Sequence, residues 1–490
     1  MSSSKISDAG SDLARNVLGV RGIVFLVLAA VAPLTAVIVV VPIGIAVGNG
    51  GGMVGAFLIV LVVLLLFAVG FAQMSRVLVH AGGFYAFVVK GLGRPMGLVA
   101  GFTAMIGYNV FVAGALGTMG FFTAFIVNDN FGLNLNWAIW SLISIVVVFF
   151  LSRRGIALSA KVLGVSLVLE VLIIFILDLT VLFRHGFSFE VFHPGVVFNG
   201  SFGLSLLFAA TCFLGFEATA LFSEEAKDPS RTVPRATYIA VTFIGLFAAF
   251  SAWAITSAIG VSTAKDISLK HLSTGDLVFS IMHDYLGNTL LKVMMVLLLV
   301  SVFASLIALH NAATRYLYAL GRVKILPKVL SHTRRQTGSP QNAAIVQLIF
   351  VTIVVLVYRA AGLDPIAALT ASMIGFGTLC ILVLQLMAAV SIVVYFRRTK
   401  DVRVWKTLIA PGLGGLGLLF IVILAIFNFP AVAGSDNVVI GALPWLLLVV
   451  LVIGLVTGGW LKKNRPEIYA TLENDLENFK ELTETVDHSF

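Results

Sequence analysis

Residues 208–236 read FAATCFLGFEATALFSEEAKDPSRTVPRA, a segment that begins as an apolar helix and ends as a charged loop. At its middle stand Gly215, Phe216 and Glu217. A carboxylate at membrane depth costs at least about 2.5 kcal/mol unless it faces protein or water. A glycine there loosens the helix and frees backbone groups that lipid would leave unsatisfied. Both costs are relieved where this point lines a water-filled cavity, which makes it the first candidate for a binding site.

The rest of the composition agrees with a membrane setting. The 490 residues are 59% hydrophobic and 11% charged, with mean hydropathy +1.06. Soluble domains carry about 25% charged residues, and a soluble fold of this size has no place to hide so much apolar surface. Cys212 and Cys380 both fall in apolar segments, which argues against a disulfide framework or a metal site. The net charge of +9 is scattered over short loops, so it reads as topology rather than nucleic-acid binding. Polar residues 1–21 precede a first apolar stretch too long for a signal-peptide core.

Twelve apolar segments follow, each near the ~20 residues that a bilayer requires. They lie at 22–48, 53–74, 95–127, 136–152, 156–183, 202–222, 236–260, 288–319, 342–360, 365–396, 405–429 and 438–461. With the N-terminus inside, Arg184, Lys265, Lys270, Lys292 and Arg359 fall outside, and the other 27 of the 32 Lys+Arg fall inside. This asymmetry supports twelve spans with both termini cytosolic. Pro33 interrupts the first span and Gly215 the sixth. Interruptions at matching positions of two halves point to an inverted-repeat transporter with its site between them; a kink in a packed helix is the competing reading of Pro33.

Between the spans, residues 75–95 are too apolar to be simply solvated, and Phe84, Tyr85 and Phe87 are expected against protein or headgroups. The sixth span ends before Pro229, and the seventh is expected to start near Pro234. Residues 261–287 have room for a short helix or lid. In the acidic tail, Ile468, Leu472, Leu476, Phe479, Leu482 and Val486 recur at spacings of three and four, as on an amphipathic helix. The expected organisation is a cytosolic segment 1–21, a transport core 22–396, two further spans in 397–463 and a tail 464–490.

Three motifs carry a resemblance to a known family: AGGFYAFVVKGLG at 81–93, GFEATALFSEEAKDPSRTVPRA at 215–236, and RYLYALGRVKILP at 315–327. Together they resemble the amino acid–polyamine–organocation permeases, over roughly residues 15–463. The resemblance implies an all-α polytopic protein with the LeuT-type fold. In that fold, spans 1–5 and 6–10 form a 5+5 inverted repeat and two spans are appended. It also implies a plasma-membrane secondary transporter, not an enzyme, with no cofactor. The expected substrate is an amino acid, and the expected driving ion is the proton, with sodium as the alternative. A polyamine carrier is the second reading within the class, and a non-transporting nutrient sensor or a channel the reading from outside it.

The same resemblance assigns roles. Phe216 matches an aromatic that covers substrate, with Glu217 the acid beside it. Ala209, Cys212, Phe213 and Gly215 would lend backbone or small side chains to the substrate amine. The family's glycine-rich segment of span 1 corresponds to Ala30–Ala36, which holds Pro33 and no glycine. There Ala32 and the amides of Leu34, Thr35 and Ala36 would receive the substrate carboxylate.

Several residues keep two readings. Glu217 is either a proton-sensitive gate or a structural cap on the broken helix. Glu170 falls where some proton-coupled members carry a lysine. It is either a proton or cation site between spans 1, 5 and 8, with Ser301 and Ser305 supplying oxygens, or a paired structural glutamate. Tyr108 and Asn109 either face the substrate or bond between helices. Asp178 reads as an interface residue, and pairing of Arg76 or Arg15 with Glu224 or Glu225 would make a cytosolic latch. His310 has no companions for a metal site.

Overall fold

The computed structural model describes residues 19–78, 83–152, 160–217, 219, 226–334, 339–433, 438–470 and 472. Among them the chain is helical, without a β-strand. We number the main helices α1 (Val20–Val47), α2 (Met53–Val77), α3 (Phe84–Leu92), α4 (Arg94–Phe131), α5 (Trp137–Ser152), α6 (Ala160–His185), α7 (Phe202–Thr211), α8 (Pro229–Ile259), α9 (Ala264–Lys270), α10 (Leu277–Arg322), α11 (Gln341–Ala360), α12 (Pro365–Arg398), α13 (Trp405–Val432) and α14 (Val438–Asn464). Ten of these are long and apolar enough to cross a bilayer, and α5 and α7 are apolar but shorter.

Two groups of helices meet around α1. In one, α8 packs on α2 and both halves of α1 lie beside α8 or α7. In the other, α4 is the spine, with α10, α12 and α14 along it. Small residues allow the closest approach: a Cβ at Gly107 would stand 2.7 Å from that of Cys380, and one at Gly114 2.7 Å from Cγ1 of Ile374. Close backbone packing replaces the hydrophobic drive that lipid cannot supply. Cys212 and Cys380 are both free and buried.

Three expected boundaries move. The helix expected to start near Pro234 starts at Pro229, because Asp228 ends the loop and proline is well placed in a first turn. The helix expected at 288–319 runs Leu277–Arg322, interrupted at Gly287 (φ 80°, ψ 176°). Segment 261–287 therefore divides into α9 and the first turns of α10. Residues 75–95 are not a loop throughout: α3 buries Phe84 and Phe87 against Phe71.

Beyond α14 the start of the tail docks. Ile468 and Leu472 bury against Leu98 and Leu461, and the Arg94 guanidinium lies 5.1 Å from the centre of the Tyr469 ring. Leu476, Phe479, Leu482 and Val486 lie outside the described residues, as do Arg15, Glu224 and Glu225 of the expected latch.

Candidate functional site

The α region is disfavoured for the residue before a proline, and Ala32, before Pro33, adopts a left-handed conformation (φ 51°, ψ 74°). Helix α1 restarts at Pro33 and passes through a π turn at Ala36–Val40. The second break follows α7. The amides of Cys212, Phe213, Leu214 and Phe216 reach back three residues, as in Phe213 to Ala210 (3.0 Å) and Phe216 to Phe213 (3.3 Å). Gly215 takes φ +117°, a conformation that favours glycine.

The two breaks touch. A Cβ built on Gly215 would stand 3.2 Å from Cγ2 of Val31 and 3.5 Å from its backbone nitrogen. Beside this junction lies a cavity of about 40 Å³. Its walls are apolar, from Val31, Val40, Phe111, Leu214, Val302, Leu309 and Ile374, with hydroxyls from Thr35, Thr118, Thr211 and Ser305. The last two threonines continue outward: Thr118 pairs with Thr370 (3.2 Å) and Thr211 with Thr378 (2.8 Å), both on α12.

A polar relay leaves this cavity through α1. The Thr35 hydroxyl donates to Ser301 Oγ (3.0 Å), and Ser301 donates to Glu170 Oε2 (2.7 Å). Ser166 donates to Glu170 Oε1 (2.8 Å), and the Leu34 amide also bonds this carboxylate. Glu170 is 3% exposed. One carboxylate thus ties α6 to α1 and α10, and two hydroxyls separate it from the cavity.

A second carboxylate sits at the other break. Glu217, also 3% exposed, accepts the Tyr108 hydroxyl at 2.6 Å and the Gly215 amide at 2.9 Å. The Tyr108 ring stacks on Tyr316, with centroids 5.3 Å apart. This bond joins the α7 break to α4 and, through the stack, to α10.

Of the expected site residues, Thr35, Ala36, Cys212 and Ser305 line the cavity. Ala32 and Gly215 form the breaks, and Ala209 and Phe213 are buried at the end of α7. Other expectations are corrected. Phe216, expected over the substrate, is fully buried against Phe67 and Phe71, because the turn carries its side chain toward α2. The Ala36 amide bonds Ala32 O (3.0 Å) and the Leu34 amide bonds Glu170, so neither is free. Asn109 bonds Met105 O within its own helix (2.7 Å). Ser305 faces the cavity while Ser301 holds Glu170.

Asp178 accepts the Ser251 hydroxyl (2.6 Å) between α6 and α8, and His310 meets Gln347 (2.7 Å) between α10 and α11. Among the cavity residues missed from sequence were Phe111, Thr118, Thr211, Leu309 and Ile374. Thr118, one turn after Gly114, and Thr211, one residue before Cys212, carried a signal: hydroxyls on otherwise small or apolar helix faces.

Comparison with known sequences now adds to the geometry. A profile of the amino acid permease family matches residues 18–456. The chain belongs to that family. The permease is 24% identical over 447 residues to the branched-chain amino acid permease BcaP of Bacillus subtilis, covering 86% of this chain and 89% of that one. It is 26% identical over 315 residues to BcaP of Lactococcus lactis, covering 57% and 63%. It is 25% identical over 316 residues to the amino-acid permease GAP5 of Candida albicans, covering 62% and 50%. The resemblance to amino acid–polyamine–organocation permeases holds, and the chain is a membrane transporter rather than an enzyme.

Proposed function

We propose that the permease imports an apolar, zwitterionic amino acid of the branched-chain class, driven by protons, by alternating access. The observation that carries this is the contact of the two helix breaks beside a cavity walled by aliphatic and aromatic side chains. No carboxylate among the described residues lines that cavity, which weighs against a polyamine with its extra positive charge. The names of the two BcaP relatives point to the same substrate class.

In this reading α5 and α7, the latter with the turn after it, complete twelve spans, with α3 and α9 lying outside the count. Both termini are cytosolic, and spans 1–5 and 6–10 form the inverted repeat. Broken helices present half-helix ends that suit a substrate's carboxylate and amine. Helices α1, α2, α7 and α8 rock against α4, α5, α10 and α11. The cavity of about 40 Å³ has room for little more than water, so in this reading it widens to admit substrate. Glu170 carries the coupling proton, because a hydroxyl relay links it to the cavity. The Glu217–Tyr108 bond acts as a latch between the two groups of helices.

Thermal stabilisation of the purified protein against amino acids and polyamines tests the reading. A ligand that binds the folded state raises the melting temperature by mass action. Leucine, isoleucine or valine should raise it; a rise with putrescine or spermidine alone would replace this proposal with an amine carrier.

A further inference from the structure

The central cavity has a neighbour. A second chamber, about 10 Å³, lies between the restarted half of α1 and the flank of α8 formed by Phe243, Ile244, Phe247 and Ala248. Three residues line both spaces: Val31, Ala36 and Cys212. Val31 belongs to the helix end that Gly215 abuts, and Ala36 contributes one methyl. Of the three, Cys212 brings a thiol to the shared wall. Its thiol has one weak hydrogen bond, to Phe208 O at 3.6 Å, and is otherwise a small apolar plug.

We propose that Cys212 is a specificity-determining residue: its thiol separates the substrate cavity from a second apolar chamber and so limits the length of the substrate side chain. The proposal rests on the branched-chain reading of the cavity. Once the cavity widens for substrate, a side chain that ends short of Cys212 stays within the first space, whereas one that is longer by a methyl thioether or a ring meets the sulfur before it reaches Phe243 and Phe247. Truncation to alanine joins the two spaces. Threonine keeps roughly the volume of the partition and changes its chemistry.

The test is uptake of labelled leucine into proteoliposomes, inhibited by valine, leucine, methionine or phenylalanine, for wild type, Cys212→Ala and Cys212→Thr. Discrimination by one methylene in an apolar pocket is roughly 10-fold or more. The expected result is a fall of about tenfold in the phenylalanine-to-valine ratio of half-inhibitory concentrations for Cys212→Ala, with the wild-type ratio kept in Cys212→Thr. General damage would scale all competitors together and leave the ratio unchanged. An unchanged ratio in a Cys212→Ala protein that takes up leucine overturns the partition alone. A wild type that takes up leucine in neither direction and is stabilised by no apolar amino acid overturns the substrate reading as well. A second measurement does not depend on truncation. In Cys380→Ser protein the remaining thiol is Cys212, and saturating leucine should slow its labelling by N-ethylmaleimide; equal labelling with and without leucine overturns the proposal.

Discussion

Tyr108 and Glu217, 109 residues apart in the chain, share a buried hydrogen bond of 2.6 Å. It joins the turn after α7 to α4, the spine of the other group of helices. Removing the hydroxyl leaves the carboxylate with the amides of Gly215 and of Glu217 itself as described partners. A buried acceptor that loses its donor costs about 1–3 kcal/mol. Tyr108→Phe should therefore lower the melting temperature and favour conformations in which the latch is open. A double-mutant cycle with Glu217→Gln should show coupling above about 0.5 kcal/mol. Additive effects would mean that the two residues act independently.

Glu170 is expected to matter for coupling more than for folding. Glu170→Gln retains a carbonyl oxygen that accepts from Ser301 or Ser166, so the protein should remain folded. Uptake of leucine should then lose its dependence on an imposed proton gradient. Ser301→Ala breaks the relay to Thr35 and should slow gradient-driven uptake while leaving exchange of internal for external substrate. Uptake that still follows the gradient in Glu170→Gln removes the coupling role.

The two breaks respond differently to substitution. Ala32 has φ 51°, so Ala32→Gly relieves a backbone cost of about 1–3 kcal/mol and adds back roughly 0.5–1 kcal/mol of unfolded-state entropy. The expected change in melting temperature is small and not negative. Ala32→Val should lower it clearly, since branched residues rarely adopt positive φ. Gly215→Ala combines φ +117° with a 3.2 Å contact to Val31, and should impair uptake more than it impairs expression. Wild-type uptake by Gly215→Ala would show that the junction has room to spare.

How much of this was legible in the sequence follows from which forces are local. Gly215 announced its break because glycine is the residue that positive φ selects. The first break was placed at Pro33 but occurs at Ala32: proline acts on its predecessor, and no glycine marked the left-handed residue. The junction of α1, α6 and α10 at Glu170 was legible through the family resemblance; the residue itself told only that a carboxylate inside a membrane must find partners. The direction of Phe216 was not. It depends on how a short turn of tight hydrogen bonds rotates, and on Phe67 and Phe71 waiting 6.3 and 6.5 Å away. Nor did Tyr108 reveal its partner, since contact between residues 109 apart leaves no trace in spacing.

At the turn between α12 and α13, Arg403 holds Asp401 through a 2.6 Å ion pair and also reaches Gln73 on α2 at 3.0 Å. The Arg403 hydrogen bonds hold the Asp401 carboxyl below the usual carboxylate range. A depressed carboxyl stabilises above its unfolded-state value, about 3.9, and that contribution disappears as pH falls through the lower folded value. Hydrogen exchange in 399–407, corrected for intrinsic rates, should be constant from about pH 5 to 8 and accelerate below about pH 4. Asp401→Asn should show the faster exchange already at neutral pH. The Arg403 side chain is about half exposed, so the effect should be local. Equal exchange in wild type and variant at pH 7 would show that the pair does not hold the turn.

The docked start of the tail has a practical consequence. Tyr469 sits under Arg94, and Ile468 and Leu472 rest on Leu98, so this segment is fastened to the root of α4. A spectroscopic label near residue 470 would then share a frame with α4. Distances from that origin to a second label on α8 would report the proposed rocking movement directly, without a correction for wandering of the reference point.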